Sequence, residues 1–149
     1  MNVTLEPMTI RELIDLISAM DGVLVLQPRE GDGSPEIAWG DVFFYYAPDG
    51  VVPRTQPFAT IVTKDYPDDD SCHLNRPGAF RLNIAAGAGH TTQSEALDDT
   101  VLVHPVYGRQ GWVAIVNPGP NTSATAAELL ALARRRAEAR YRTRGFVER

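Results

Sequence analysis

The densest cluster of groups able to do chemistry is the stretch Asp65-Tyr66-Pro67-Asp68-Asp69-Asp70-Ser71-Cys72-His73. Carboxylates and an imidazole together suit a divalent cation. The run nevertheless lacks the calcium-loop pattern, with no glycine at the required turn and no bidentate glutamate closing it. Three consecutive aspartates read instead as a solvated turn whose side chains cap backbone N–H groups. No metal site and no cofactor are expected. A second candidate is His104, placed before Pro105 at a strand end, where an imidazole can act as a base. With Cys72 or Ser71 as nucleophile and Asp65 as orienter, a triad can be drawn. The plainer reading is a structural histidine bonded to a backbone carbonyl near the His-Pro turn. The third candidate is Arg81 with Asn83, on alternate positions of Phe80-Arg81-Leu82-Asn83-Ile84, with Arg76 and Lys64 near the strand ends. A forked guanidinium there can grip a carboxylate or phosphate, or it can pair with the nearby acidic loop and keep the sheet soluble.

These groups need elements to hold them. Thr9-Ile10-Arg11-Glu12 has the form of a capping box, and Ile10, Leu13, Ile14, Ile17 and Met20 follow at the spacing of one buried helix face, stopped by Asp21-Gly22. Val23–Leu26 and the aromatic run Val42–Tyr46 have strand composition, separated by a polar, Gly- and Pro-rich loop from Gln27 to Pro35. The run from Phe58 is apolar on both faces, as a strand in the middle of a sheet would be. In Phe80–Ile84 the alternation points Phe80, Leu82 and Ile84 one way and Arg81 and Asn83 the other. A weakly helical piece is expected between Thr92 and Leu97, then strands at Val101–Val103 and Trp112–Val116. A last helix begins at Thr122 or Thr125, with its stripe at Ala126, Leu129, Leu130, Ala133, Ala137 and Tyr141. The Pro118–Thr122 segment ahead of it offers a helix N-terminus to an anion, without the glycine and lysine pattern of a phosphate loop.

Strands in series between two terminal helices predict an α+β fold, because no useful helix separates the central strands. The simplest form is a two-layer α/β sandwich, a mainly antiparallel sheet with the N- and C-terminal helices on one face. Arg81 and Asn83 then lie on the other, uncovered face. At 149 residues the chain is expected to be a single domain, 1–149.

Composition bounds the function classes. Hydrophobic residues at 44% and charged residues at 22% are ordinary globular values, and no stretch approaches a membrane span. The start at Met1–Pro7 has no basic segment followed by an apolar run, and a lone cysteine, Cys72, fits a reducing compartment. A soluble, cytoplasmic protein without a membrane partner is the expectation. The net charge of −5 divides unevenly. Residues 1–122 carry 7 Lys/Arg against 16 Asp/Glu, and residues 123–149 carry 7 Arg against 3 Glu. An acidic body argues against nucleic acid as a partner. In the arginine-rich tail, Arg134, Glu138 and Arg142 form i, i+4 pairs that account for much of the charge.

The phrases Trp39-Gly40-Asp41-Val42-Phe43-Phe44, Gln56-Pro57-Phe58-Ala59-Thr60-Ile61-Val62, Phe80-Arg81-Leu82-Asn83-Ile84 and His104-Pro105-Val106-Tyr107 through Gly111-Trp112-Val113 resemble a family of uncharacterised actinobacterial proteins over nearly the whole chain. More distantly, His104-Pro105, a loop, Trp112-Val113 and a closing helix from Thr122 are similar to the C-terminal half of the MmcQ/YjbR-like proteins. That resemblance implies a CyaY-like two-layer sandwich. It also brings the idea of DNA binding, which the acidic body opposes. The iron-binding frataxin relatives of the fold carry acids along the first helix, where this chain has only Glu12 and Asp15, so iron delivery is not carried over.

No motif here amounts to a named chemistry. The expectation is a non-enzymatic module that binds a small anionic ligand or a protein, through Arg81, Asn83, Lys64, Asp65 and His104. Self-association as a homodimer would use the same open face. The alternative is a small hydrolytic or metal-assisted enzyme using Asp65, His73 and His104.

Overall fold

A computed structural model describes residues 7–147, with side chains through 144. Residues 1–6 and 148–149, part of the expected domain 1–149, lie outside the described residues. The Thr9 capping box forms: Glu12 N donates to Thr9 Oγ1 at 3.0 Å and Thr9 N donates to Glu12 Oε1 at 3.2 Å. It starts helix α1 (Ile10–Ser18), which buries Leu13, Ile14 and Ile17. Six strands follow: β1 (Val23–Leu26), β2 (Val42–Tyr46), β3 (Ala59–Val62), β4 (Arg81–Ile84), β5 (Val101–Val103) and β6 (Val113–Val116). Helix α2 (Ser123–Val147) closes the chain. The strands make one antiparallel sheet in the order β1-β2-β3-β4-β6-β5, so the fold is α+β.

Register decides which side chains share a face. Val42, Ile61, Leu82 and Ile115 stand in one cross-strand row, and Phe44, Ala59, Ile84 and Val113 in the next of the same face. Both rows join one apolar cluster with Leu13, Ile14 and Ile17 of α1 and Ala126, Leu129, Leu130 and Ala133 of α2. Removing such side chains from water is the main stabilising term of the fold. On the opposite face Phe43, Thr60, Asn83, Ala114 and Leu102 form a row, flanked by Val62, Arg81 and Val116.

That second face is not open, contrary to expectation. Three irregular segments roof it. The first runs from Gln27 to Asp41 and contains a single 3₁₀ turn at Glu36–Ala38. The second is a tight hairpin in which Tyr66 and Asp69 exchange backbone hydrogen bonds of 3.2 and 3.0 Å, with Pro67 and Asp68 at its tip. Its continuation supplies Cys72 and Leu74, which pack with Val62, Leu102, Ala114 and Val116 in a second buried cluster. The third runs from His104 to Trp112 and contains the 3₁₀ turn Gly108–Gln110. Arg81 and Asn83, expected at a solvent face, are 1% and 3% exposed. Their strand β4 lies between β3 and β6, so no edge reaches water, and loops cover the face the helices leave free.

Two further expectations change. Thr92–Leu97 forms no helix; Gln93 instead bridges to Leu102 in parallel, beside β5. The anion site foreseen ahead of α2 is filled from within by Asp99. Its carboxylate accepts from Gly119 N at 2.8 Å, Asn121 N at 2.9 Å, Thr122 N at 3.0 Å and Thr122 Oγ1 at 2.6 Å. Burial pushes this carboxyl up, but those hydrogen bonds outweigh it and hold it below the usual range.

Candidate functional site

Between the β2–β3–β4 surface and its roof lies a cavity of about 420 Å³. Its floor is Phe43, Thr60, Val62, Arg81 and Asn83; its walls come from Ile37-Ala38, the Tyr66–Asp69 hairpin, and the loop from His104 to Trp112. The volume falls in the range of about 300–1,000 Å³ typical of small-molecule sites.

The polar centre is organised by Arg81. Its Nη1 and Nη2 donate to the two oxygens of Asp69 at 2.9 and 2.5 Å, the two-pronged pairing that a planar guanidinium favours. Nε donates to Asn83 Oδ1 at 2.8 Å, and Asn83 Nδ2 donates to Thr60 Oγ1 at 3.0 Å. Nη1 also reaches Cys72 Sγ at 3.5 Å. Burial works against the charge of Arg81, yet the fork on Asp69 holds its pKa above the usual value. Burial likewise raises the Asp69 carboxyl, and the hydrogen bonds and charge of Arg81 more than reverse this, holding it below the usual carboxylate range. The pair is therefore charged and internally neutralised. Hairpin geometry explains why one aspartate of three faces inward: the tight turn leaves Asp68 and Asp70 exposed and folds Asp69 under.

His104 stands beside this pair. It is 4% exposed, and its Nδ1 accepts from the backbone N–H groups of Val106 and Tyr107, both at 3.0 Å. The expected bond to a backbone carbonyl is replaced by the opposite one: the ring accepts from backbone amides. Burial pushes its pKa down to about 4, Arg81 adds to the shift, and Asp69 opposes it. The imidazole is neutral at physiological pH.

The remaining sequence candidates serve as scaffold. Lys64 Nζ donates to Trp39 O at 2.8 Å and to Asp41 Oδ1 at 3.0 Å, away from the cavity lining. Asp65 Oδ1 accepts from Leu74 N at 2.8 Å, closing the hairpin, and His73 is exposed. Of the three side chains of the enzyme alternative, only His104 lines the cavity. Among the described residues no group of three His, Cys, Asp or Glu side chains is arranged to hold a metal ion.

Sequence reasoning passed over several participants. Asp41 is 1% exposed and accepts from Thr63 N and Thr63 Oγ1, both at 2.9 Å, from Lys64, and from the hydroxyl of Tyr66. Burial and this carboxylate raise the pKa of the Tyr66 phenol. Asp41 thereby ties the first roof segment to the second. Its signal was an acidic residue directly ahead of an aromatic strand. Phe43 and Trp112 also line the cavity.

The fold and site define a class: an α+β protein with a ligand-sized cavity built on a buried Arg–Asp pair and a neutral histidine. Residues 8–145 match the DUF6194 family, a family of unknown function, and the chain belongs to it. No curated protein and no solved structure matches the chain. The likeness to MmcQ/YjbR-like proteins and to the CyaY-like fold thus rests on the sequence phrases alone. Among the described residues no helix is long and apolar enough to cross a membrane.

Proposed function

We propose that this protein is a non-enzymatic ligand-binding module, a single two-layer sandwich whose helices seal one sheet face and whose loops shape a small-molecule site on the other. The observation that carries this reading is the cavity itself, apolar at Phe43, Val62, Val106 and Trp112, with buried polar groups converging at Arg81, Asn83 and His104. Sites of this kind take their affinity from apolar walls and their orientation from a few fixed polar groups. Arg81, Asn83 and His104 keep their proposed role, while Lys64 and Asp65 act by holding the roof. A concave, roofed cavity favours a small molecule over a protein partner. Because Asp69 already neutralises Arg81, the cavity has no free positive charge to attract an anion, and the ligand class shifts from anionic to uncharged.

The test fills the cavity from its wall. Ala38 lies in a 3₁₀ turn outside the sheet, so Ala38→Phe adds bulk without disturbing β-pairing. A ligand-observed NMR fragment screen on the wild-type protein is expected to give hits that weaken at least tenfold in the variant. Hits that persist unchanged in Ala38→Phe, or the lack of any saturable hit, would overturn the reading.

A further inference from the structure

The tautomer of His104 fixes what its other nitrogen can do. An imidazole nitrogen that accepts two backbone N–H bonds carries no hydrogen, so the proton of the neutral ring sits on Nε2. That nitrogen stands 3.4 Å from Arg81 Nη2. Nη2 of a guanidinium is always a donor. The contact is therefore N–H against N–H, two donors with no acceptor between them. One hydrogen of Nη2 is used by Asp69; the other, like Nε2–H, has no acceptor among the described residues. Unsatisfied donors on side chains this buried are costly, and native proteins rarely leave them so. Both residues line the cavity.

From this geometry we infer that His104 Nε2–H and the spare Nη2–H of Arg81 form a two-donor clamp for one oxygen of an uncharged carbonyl compound, a ketone, amide or ester with an apolar body. The inference rests on the ligand-binding reading above and names its ligand class. A carbonyl oxygen has two lone pairs and can accept both bonds at once. A carboxylate satisfies the donors equally well but brings a charge into a site where Asp69 has already matched Arg81 and Asp68 lies at the rim. The second negative charge would be buried without a partner. A protonated amine brings donors toward donors. The apolar wall at Phe43, Val62 and Trp112 takes the rest of the molecule. Sites built to bond one polar group discriminate strongly against isosteres that lack it, because their own buried groups then stay unpaired.

Three probes of matched shape separate the outcomes: acetophenone, ethylbenzene and benzoate, titrated into the full chain by NMR. Acetophenone is expected to bind roughly tenfold or more tightly than ethylbenzene and than benzoate. It should also displace the ¹⁵N signal of His104 Nε2. In His104→Phe the ketone and ethylbenzene should bind alike. If ethylbenzene equals acetophenone in the wild type, the clamp is wrong while the cavity stands as a site. Tighter benzoate binding would overturn the uncharged class. Failure of all three to bind would remove both the clamp and the ligand-binding reading. Tautomer is tested without a ligand: long-range ¹H–¹⁵N spectra should show His104 protonated on Nε2 alone, and a proton on Nδ1 would overturn the inference.

Discussion

At the scale of single residues, the Arg81–Asp69 pair is the feature on which the site depends. Burying two charges costs desolvation that only close pairing and full hydrogen bonding offset. Here the side chains are 2% and 12% exposed and the fork is two-pronged. Asp69→Asn should therefore cost about 3–5 kcal/mol, since it leaves a guanidinium buried without its counter-charge. The double replacement Arg81→Met, Asp69→Leu should recover most of that loss while abolishing the polar centre. Urea unfolding of the two variants and the parent measures both, and a single-variant loss no larger than that of an exposed ion pair would show the pair to be solvated. His104 adds a pH signature. Its pKa is about 4 in the fold against 6.5 for the ordinary group, so the unfolded chain takes up the proton first as acid is added. Its contribution is fully present above about pH 6.5, is lost as pH falls toward about 4, and changes little below that. The loss is about 3 kcal/mol by linkage. Asp69 is held low, so its own contribution is lost at more acid pH still. His104→Gln should flatten the stability profile between pH 6.5 and 4, and a profile as steep as the parent's would refute the assignment.

At the scale of elements, the loops deserve the attention usually given to strands, because they make three of the cavity's walls. Gly111 illustrates how tightly one is set. It has φ +87°, and a Cβ there would stand 2.8 Å from Gly87 Cα and 2.9 Å from its carbonyl carbon. Gly87 N in turn donates to Gly111 O at 2.9 Å. Gly111→Ala strains the left-handed backbone and forces two chains apart, so the His104–Trp112 loop must shift. The expected result is a loss of stability of about 1–3 kcal/mol, together with displaced amide signals at Val106 and Tyr107, where the His104 ring is held. Asp99→Ala should cost about 2 kcal/mol by stripping the turn ahead of α2 of its acceptor, with far-ultraviolet circular dichroism on heating as the measure. Periodic elements were legible in the sequence because periodicity is a packing signal. The α1 stripe, the α2 stripe from Ala126 to Ala137, and Leu82 with Ile84 join the helix-side cluster as expected, with Arg81 and Asn83 on the opposite face. The roof was not legible. Gln27–Asp41, the aspartate hairpin and His104–Trp112 have no period, and their positions are set by single long-range bonds such as Asp41 to Tyr66 and Arg81 to Asp69. Exposure of Arg81 and Asn83 could not be inferred from alternation once loops, rather than water, lay over that face. Lys64 and Asp65 sit next to the site in sequence and missed it because each is spent on a neighbouring loop.

At the scale of the whole molecule, the two faces of the sheet are closed by different means, and that difference has a dynamic consequence. One face is covered by two helices with regular internal hydrogen bonds and a large apolar cluster. The other is covered by segments whose backbone bonds are scattered turns and whose apolar cluster is small. Local opening follows low contact density and irregular hydrogen bonding, so the molecule should open on the roof side well before it unfolds. Native-state hydrogen exchange should find the amides of β3, β4 and β6 protected to the full unfolding free energy. Those of Gln27–Asp41 and of the His104–Trp112 loop should exchange through smaller openings at lower cost. A cavity ligand binds the closed roof and not the open one, and so should slow exchange in these loops by the factor 1 + [L]/Kd while leaving the helix-side amides governed by global unfolding. Acetophenone at several times its Kd is a sufficient probe. Should roof and central strands exchange together, with or without the probe, the two faces form one cooperative unit and entry to the cavity must run through its standing mouth rather than through a moving roof.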